Sequence, residues 1–138
     1  MVRVKAGSET DLSLMLAQYL QIQLPTVMYH FDYGSGLRMT MPQAVFQKKL
    51  NRRAWPDLFI AEPRNGKAGL FLELKRLGTR IYRQDGELVA DVHIREQARA
   101  LKVLRDKGYV ANFAIGFDDA VEQIRQYLDL KTDTATMF

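Results

Sequence analysis

The sequence predicts an α/β fold in which a mixed β-sheet is flanked by helices, and three observations carry that expectation. Two runs of strand length, LFLELK at 70–75 and VANFAI at 110–115, alternate along the chain with segments whose apolar residues recur at helical spacing. The link from Pro63 to Gly69 joins two adjacent apolar runs and carries Pro, Asn and Gly, the composition of a tight connection. Finally, 138 residues that are 47% hydrophobic suffice for a single core without cross-links. The expected order is αβαββ, a small hairpin, then αβα, with helices on the faces of the sheet.

The first helix is expected from about Ser8 to Ile22, with Ser8 and Asp11 spaced as a capping pair. Leu12, Met15, Leu16 and Tyr19 form its apolar stripe. At about 100° per residue Glu9 falls close to Leu16, inside that stripe, where a carboxylate is unexpected. It is either a first-turn acid favoured by the helix dipole or part of a site. A strand follows from Thr26 to Phe31, bordered by His30 and Asp32, then a loop from Tyr33 to Thr40 holding Gly34-Ser35-Gly36, then a short helix from Pro42 to Leu50. Two strands come next, Asp57 to Glu62 and one ending at Lys75. Residues Arg80 to Val92 form a hairpin turned at Asp85-Gly86. In the helix after it Ile94, Ala98, Leu101 and Leu104 make a buried stripe that ends before Gly108. Gln97 lies within that stripe and needs partners if buried, either a strand carbonyl or a site. The strand Val110 to Ile115 and a final helix started by Asp118 or Asp119 complete one domain spanning 1–138. Its core is about 8–128, and the tail 129–138 is expected to be loose.

Composition excludes several classes. There is no cysteine, so neither a disulfide frame nor a thiolate zinc site is available. No apolar stretch is long enough to span a bilayer, and the N-terminus lacks the apolar region of a signal peptide, so no membrane association and a cytoplasmic location are expected. The net charge is +4, and its placement says more than its size. Lys48, Lys49, Arg52 and Arg53 precede one strand; Lys75, Arg76, Arg80 and Arg83 follow the next. Singly these are ordinary surface charges, but clustered around one point they suit the phosphates of a nucleic acid.

That point is defined by WPDLFIAEPRNGKAGLFLELK, from Trp55 to Lys75. Side chains alternate along a strand, so Phe71, Glu73 and Lys75 share one face and Leu70, Leu72 and Leu74 the other. An antiparallel hairpin sets Asp57, at the start of its first strand, across from Glu73 and Lys75 at the end of its second. An acid and a base interrupting an apolar face are costly unless compensated. Two carboxylates can hold a hard divalent cation that keeps several waters, and the lysine can stabilise charge developing on a phosphate.

Pro56-Asp57, fifteen intervening residues, then Glu73-Leu74-Lys75 resembles the PD-(D/E)xK nuclease signature. Glu9 in an opening helix, the Lys75-Arg76 ending and the segment DVHIREQARALKVLRDKGY, which supplies Gln97, resemble the VRR-NUC branch of that superfamily, stand-alone phage and bacterial proteins among them, from about Ser8 to Leu128. The resemblance implies a restriction-endonuclease-like fold, Mg2+ or Mn2+ as cofactor, phosphodiester hydrolysis, and branched DNA such as four-way junctions as substrate. It assigns Asp57, Glu73 and Glu9 to the metal with the Leu74 carbonyl as a further ligand, Lys75 to the water, and Gln97 to the water or phosphate. One site per small chain implies a homodimer for symmetric cutting of two strands. A flap or end-directed nuclease and a non-catalytic nucleic-acid-binding module are the alternatives, and the sequence leaves open whether a helicase or replication-repair partner directs the site. His30 and Asp32 are lesser candidates for substrate contact, and His93 for a local cap or surface position. Trp55 is a candidate for core, lid or base stacking, and the 33–40 loop and 80–92 hairpin for reading substrate shape.

Overall fold

A computed structural model describes residues 8–32 and 40–130. Its elements run α1 (Glu9–Gln23), β1 (Tyr29–Phe31), α2 (Met41–Leu50), β2 (Leu58–Ile60), β3 (Leu70–Lys75), α3 (Val92–Asp106), β4 (Val110–Ile115) and α4 (Phe117–Tyr127). The strands form a four-stranded sheet in the order β1-β2-β3-β4, antiparallel except for the parallel pair β3 and β4. This is the mixed α/β architecture expected. No helix among the described residues is long and apolar enough to cross a membrane.

Alternation along β3 divides the core. Leu70, Leu72 and Leu74 pack with Leu12, Leu16 and Leu20 of α1 and with Ala120 and Ile124 of α4. On the opposite face Phe71 packs with Leu101 of α3 and Ala111 of β4. All six residues of β3 are buried, which accounts for its nearly unbroken apolar run. Each fully buried leucine contributes about 1.5–3 kcal/mol through removal from water.

The link between β2 and β3 closes in a two-residue turn. Arg64 and Lys67 form an antiparallel bridge, with Asn65 at φ 50° and Gly66 at φ 79° between them. Positive φ at both central positions is the primed turn that matches strand twist. Between that turn and the ladder three residues, 61–63, stand opposite two, 68–69, and this offset of one pairs Leu58 with Leu72 and Ile60 with Leu70, leaving Asp57 at the level of Glu73.

Several expectations are corrected. Met15 is 37% exposed, and Leu20 takes its place in the buried stripe of α1. The first strand begins at Tyr29, because Pro25 and Thr26 form a turn in which the Val27 amide donates to the Leu24 carbonyl. β2 is limited to three residues, Asp57 lying just before it and Glu62 beyond it. α4 begins at Phe117 with Gly116 as its cap; Asp119 instead reaches back to accept from the Ile115 amide at 2.8 Å. The 80–92 segment pairs only at Tyr82 and Leu88. Its loop is three residues long, since the Arg83 amide donates to the Glu87 carbonyl and Gly86 takes φ 84°. α3 starts two residues earlier than its apolar stripe, capped by Asp91. Residues 33–39 of the proposed shape-reading loop and 131–138 of the tail lie outside the described residues; Thr40 is the capping-box residue of α2.

Candidate active site

Asp57, Glu73 and Lys75 are the buried charged residues among those described, at 6, 5 and 9% exposure. Their proximity follows from the hairpin. Asp57 stands where β2 is about to begin, and its Oδ2 accepts the Leu74 amide hydrogen at 2.7 Å, which locks the carboxylate against the β3 backbone. Its main-chain carbonyl accepts from the Asp32 amide at 2.8 Å, extending the β1–β2 ladder by one step. Glu73 and Lys75 leave β3 on the same face.

Glu73 is held at high proton affinity. Burial is the largest cause, followed by the negative charge of Asp57 and a hydrogen bond between the two carboxyl groups; Lys75 opposes the shift and Glu9 adds to it. Together they push Glu73 up to about 10, so the pair shares a proton near neutral pH. Asp32 is also raised, first by burial, then by the charge of Asp57, with His30 opposing.

Gln97 approaches from α3. Its Nε2 donates to Glu73 Oε1 at 3.0 Å, while its own Oε1 is buried with no hydrogen-bond partner. A buried amide oxygen without a donor loses about 1–3 kcal/mol, which water or a ligand group in the site would recover. The sequence alternative, a glutamine bonded to a strand carbonyl, is not what forms.

Asp57, Glu73 and Gln97 face a cleft of about 680 Å³, lined also by Glu9, Asp32 and Glu96 and by Lys48, Arg52, Arg53 and Trp55; Lys75, buried on the same strand face as Glu73, is not among its lining residues. α2 contributes one wall. None of its residues is buried, and Ala44, Gln47 and Lys48 turn towards the cleft along one side of the helix. Glu9 stands in the first turn of α1, as its position in the apolar stripe suggested, close enough to act on Glu73.

The other predicted basic residues are distributed differently. Lys49 is exposed on α2, Arg76 and Arg80 are exposed beyond β3, and Arg83 pairs with Asp85 at 3.0 Å. Arg53, although at the cleft, is paired with Glu96 at 3.2 Å. His93 is exposed in the first turn of α3 and also lines the cleft. Asp32 and Glu96 are the cleft acids that sequence reasoning undervalued or missed. Asp32 had a faint signal as the residue after an apolar strand; Glu96 had only adjacency to Gln97.

Among the described residues, no three His, Cys, Asp or Glu side chains are gathered as a ready-made metal cage. The arrangement still suits a hard divalent cation, which needs one or two carboxylates and otherwise keeps water. Asp57 and Glu73 supply those oxygens, and the unpartnered Gln97 Oε1 supplies an acceptor beside them. Two adjacent buried carboxyls, of which Glu73 keeps its proton first through burial and then through the charge of Asp57, are a donor set that a cation would stabilise.

No family model matches the sequence, and no curated protein matches it. Among solved structures, a VRR_NUC domain protein is similar with a TM-score of 0.60 and 22% sequence identity, covering 91% of this chain and 92% of that one. Across nine-tenths of both molecules, the chain shares its fold with that VRR_NUC domain protein.

Proposed function

We propose that this chain is a metal-dependent DNA endonuclease of the VRR-NUC type that hydrolyses phosphodiester bonds in branched DNA, four-way junctions included. The observation that carries the reading is the buried Asp57–Glu73 pair with Lys75 on the same strand face and the Gln97 Oε1 unpartnered beside it. A purely structural domain gains little from an acid pair that must hold a proton and an acceptor left unsatisfied. The fold likeness to a VRR_NUC domain protein supports the same reading.

Mg2+ or Mn2+, held by Asp57 and Glu73 with Glu9 and the Leu74 carbonyl as further ligands, would act as a Lewis acid beside the scissile phosphate. The remaining work falls to the chain. The Leu74 amide fixes one Asp57 oxygen, and the Gln97 amide group fixes one Glu73 oxygen, so both carboxyls are oriented before substrate arrives. Lys75 supplies positive charge to the attacking water and to the oxygens of the phosphate as charge builds on them. Gln97 Oε1 accepts a hydrogen from the attacking water and aligns it. Lys48, Arg52 and Arg53 hold phosphates on either side of the scissile bond, Arg53 exchanging Glu96 for phosphate as DNA enters. Lys49, Arg76, Arg80 and Arg83, which do not line the cleft, would meet phosphates farther from the scissile bond.

A homodimer follows from the need to cut two strands with one site per chain, and a cytoplasmic setting from the expected DNA substrate. The test is cleavage of end-labelled four-way junction, flap and linear duplex DNA with magnesium, manganese or EDTA. Metal-dependent cutting with preference for the junction supports the proposal. Equal cutting of linear ends would favour an end-directed nuclease, and tight binding without any cutting a binding module.

A further inference from the structure

Trp55 occupies a position that neither the core nor the hydrolytic chemistry requires. The indole is 41% exposed and lines the cleft that holds Asp57 and Glu73. Single exposed apolar residues are ordinary on protein surfaces. What distinguishes this one is how firmly it is held. Ala54, immediately before it, takes φ 61°, a left-handed conformation that costs about 1 kcal/mol or more in a residue with a Cβ. Pro56, immediately after it, is fully buried and biases Trp55 towards extended backbone. The ring meets Phe71 edge to face, with centroids 5.2 Å apart. Phe71 in turn stacks on Phe59 at 4.4 Å and touches Tyr109 at 5.0 Å. The exposed indole therefore stands on an aromatic pedestal rooted in the core, and loses little conformational freedom on binding a ligand.

Its spacing from the acid pair is also informative. Trp55 and Asp57 are two residues apart in sequence, and both line the cleft. Arg52 and Arg53 line the same wall and can hold the phosphates on either side.

Building on the reading of the cleft as a DNA-hydrolysing site, we propose that Trp55 stacks on a nucleobase next to the scissile phosphate, so that the substrate is DNA with an unpaired or unstacked base at that position. In continuous duplex both faces of each base are covered by its neighbours. A branch point, flap base or single-stranded segment exposes the face the indole needs.

Trp55 is the sole tryptophan of the chain, so its intrinsic emission reports on the stacking directly. The full-length chain is titrated in EDTA with a single-stranded oligonucleotide, an abasic strand of equal length and a relaxed circular duplex. Stacking predicts that the single strand quenches emission at saturation, whereas the abasic strand and the duplex leave it unchanged. Trp55→Leu is expected to weaken single-strand binding about tenfold or more and duplex binding by less than about twofold, and Trp55→Phe to retain most of the affinity. Equal quenching by the abasic strand, or equal weakening of single-strand and duplex binding in Trp55→Leu, would overturn the proposal. Because binding is read without a divalent cation, the two hypotheses fail separately. Base-dependent quenching in a chain that cuts nothing leaves stacking standing and hydrolysis refuted; metal-dependent cutting without such quenching does the reverse.

Discussion

Replacing Glu73 with glutamine should stabilise the protein at alkaline pH while removing its metal-dependent chemistry. In the folded chain burial and the neighbouring Asp57 push Glu73 up to about 10, against an ordinary value of 4.5. The folded pKa is raised, so the associated stability is fully present below about pH 4.5 and is lost as pH rises towards 10, at about 1.4 kcal/mol per pH unit. Between about pH 5 and 8 that amounts to roughly 4 kcal/mol at most, and on the order of 2–4 kcal/mol once relaxation around the pair is allowed for. Glutamine has the shape of the protonated acid, can still donate to Asp57 and has no proton to lose. At this chain length 1 kcal/mol shifts Tm by about 4 °C. Melting curves in EDTA should therefore show wild type losing about 8–16 °C from pH 5 to 8, with Glu73→Gln much flatter and the more stable of the two at pH 8. The Asp32 carboxyl, also raised, acts with the same sign in both proteins. Manganese at pH 8 should raise the Tm of wild type and not that of Glu73→Gln. Parallel pH profiles, or a variant less stable than wild type at pH 8, would refute the account of the acid pair.

Three further outcomes are expected. Gln97→Leu removes an unsatisfied acceptor together with the Glu73 contact, so stability should change by less than about 1 kcal/mol, while the cleavage rate falls about 10- to 100-fold because Glu73 and the water lose their orientation. Lys48→Ala with Arg52→Ala should weaken DNA binding across substrates and reduce the slope of log affinity against log salt by about one per lost phosphate contact, read from binding titrations at several salt concentrations. Gly69→Ala should destabilise by about 1–3 kcal/mol in urea melts, because its Cβ would lie 2.7 Å from a Phe59 ring carbon and 2.9 Å from the Ile60 carbonyl oxygen.

Strand periodicity made the centre of this molecule legible from sequence. β3 and β4 occupy the residues their apolar runs indicated, and the antiparallel pairing of β2 with β3 brings Asp57 to the level of Glu73, after a one-residue offset beside the turn that no sequence pattern signals. Gln97 was legible as a polar residue on an apolar helical face, and Glu9 for the same reason. What escaped was set by contacts distant in sequence. Asp32 reaches Asp57 only through the pairing of β1 with β2, across a connection whose length says nothing about register. Glu96 meets Arg53 across the cleft, and neither residue type at its position signals the other. Met15 satisfies helical periodicity as well as Leu20 does, but Leu20 is the one that joins the core shared with β3 and α4. α2, whose polar side walls the cleft without burying any residue, shows why hydrophobic pattern alone undervalued it.

Metal-dependent hydrolysis at this site is tested by single-turnover cleavage of a labelled four-way junction by wild type and Lys75→Ala, each with manganese and with EDTA. Wild type should cut in manganese alone, and Lys75→Ala should lose about a hundredfold or more at unchanged junction affinity, since Lys75 acts on charge that develops during the reaction. Equal cutting by the two proteins, or cutting by wild type that survives EDTA, would contradict this reading of the site.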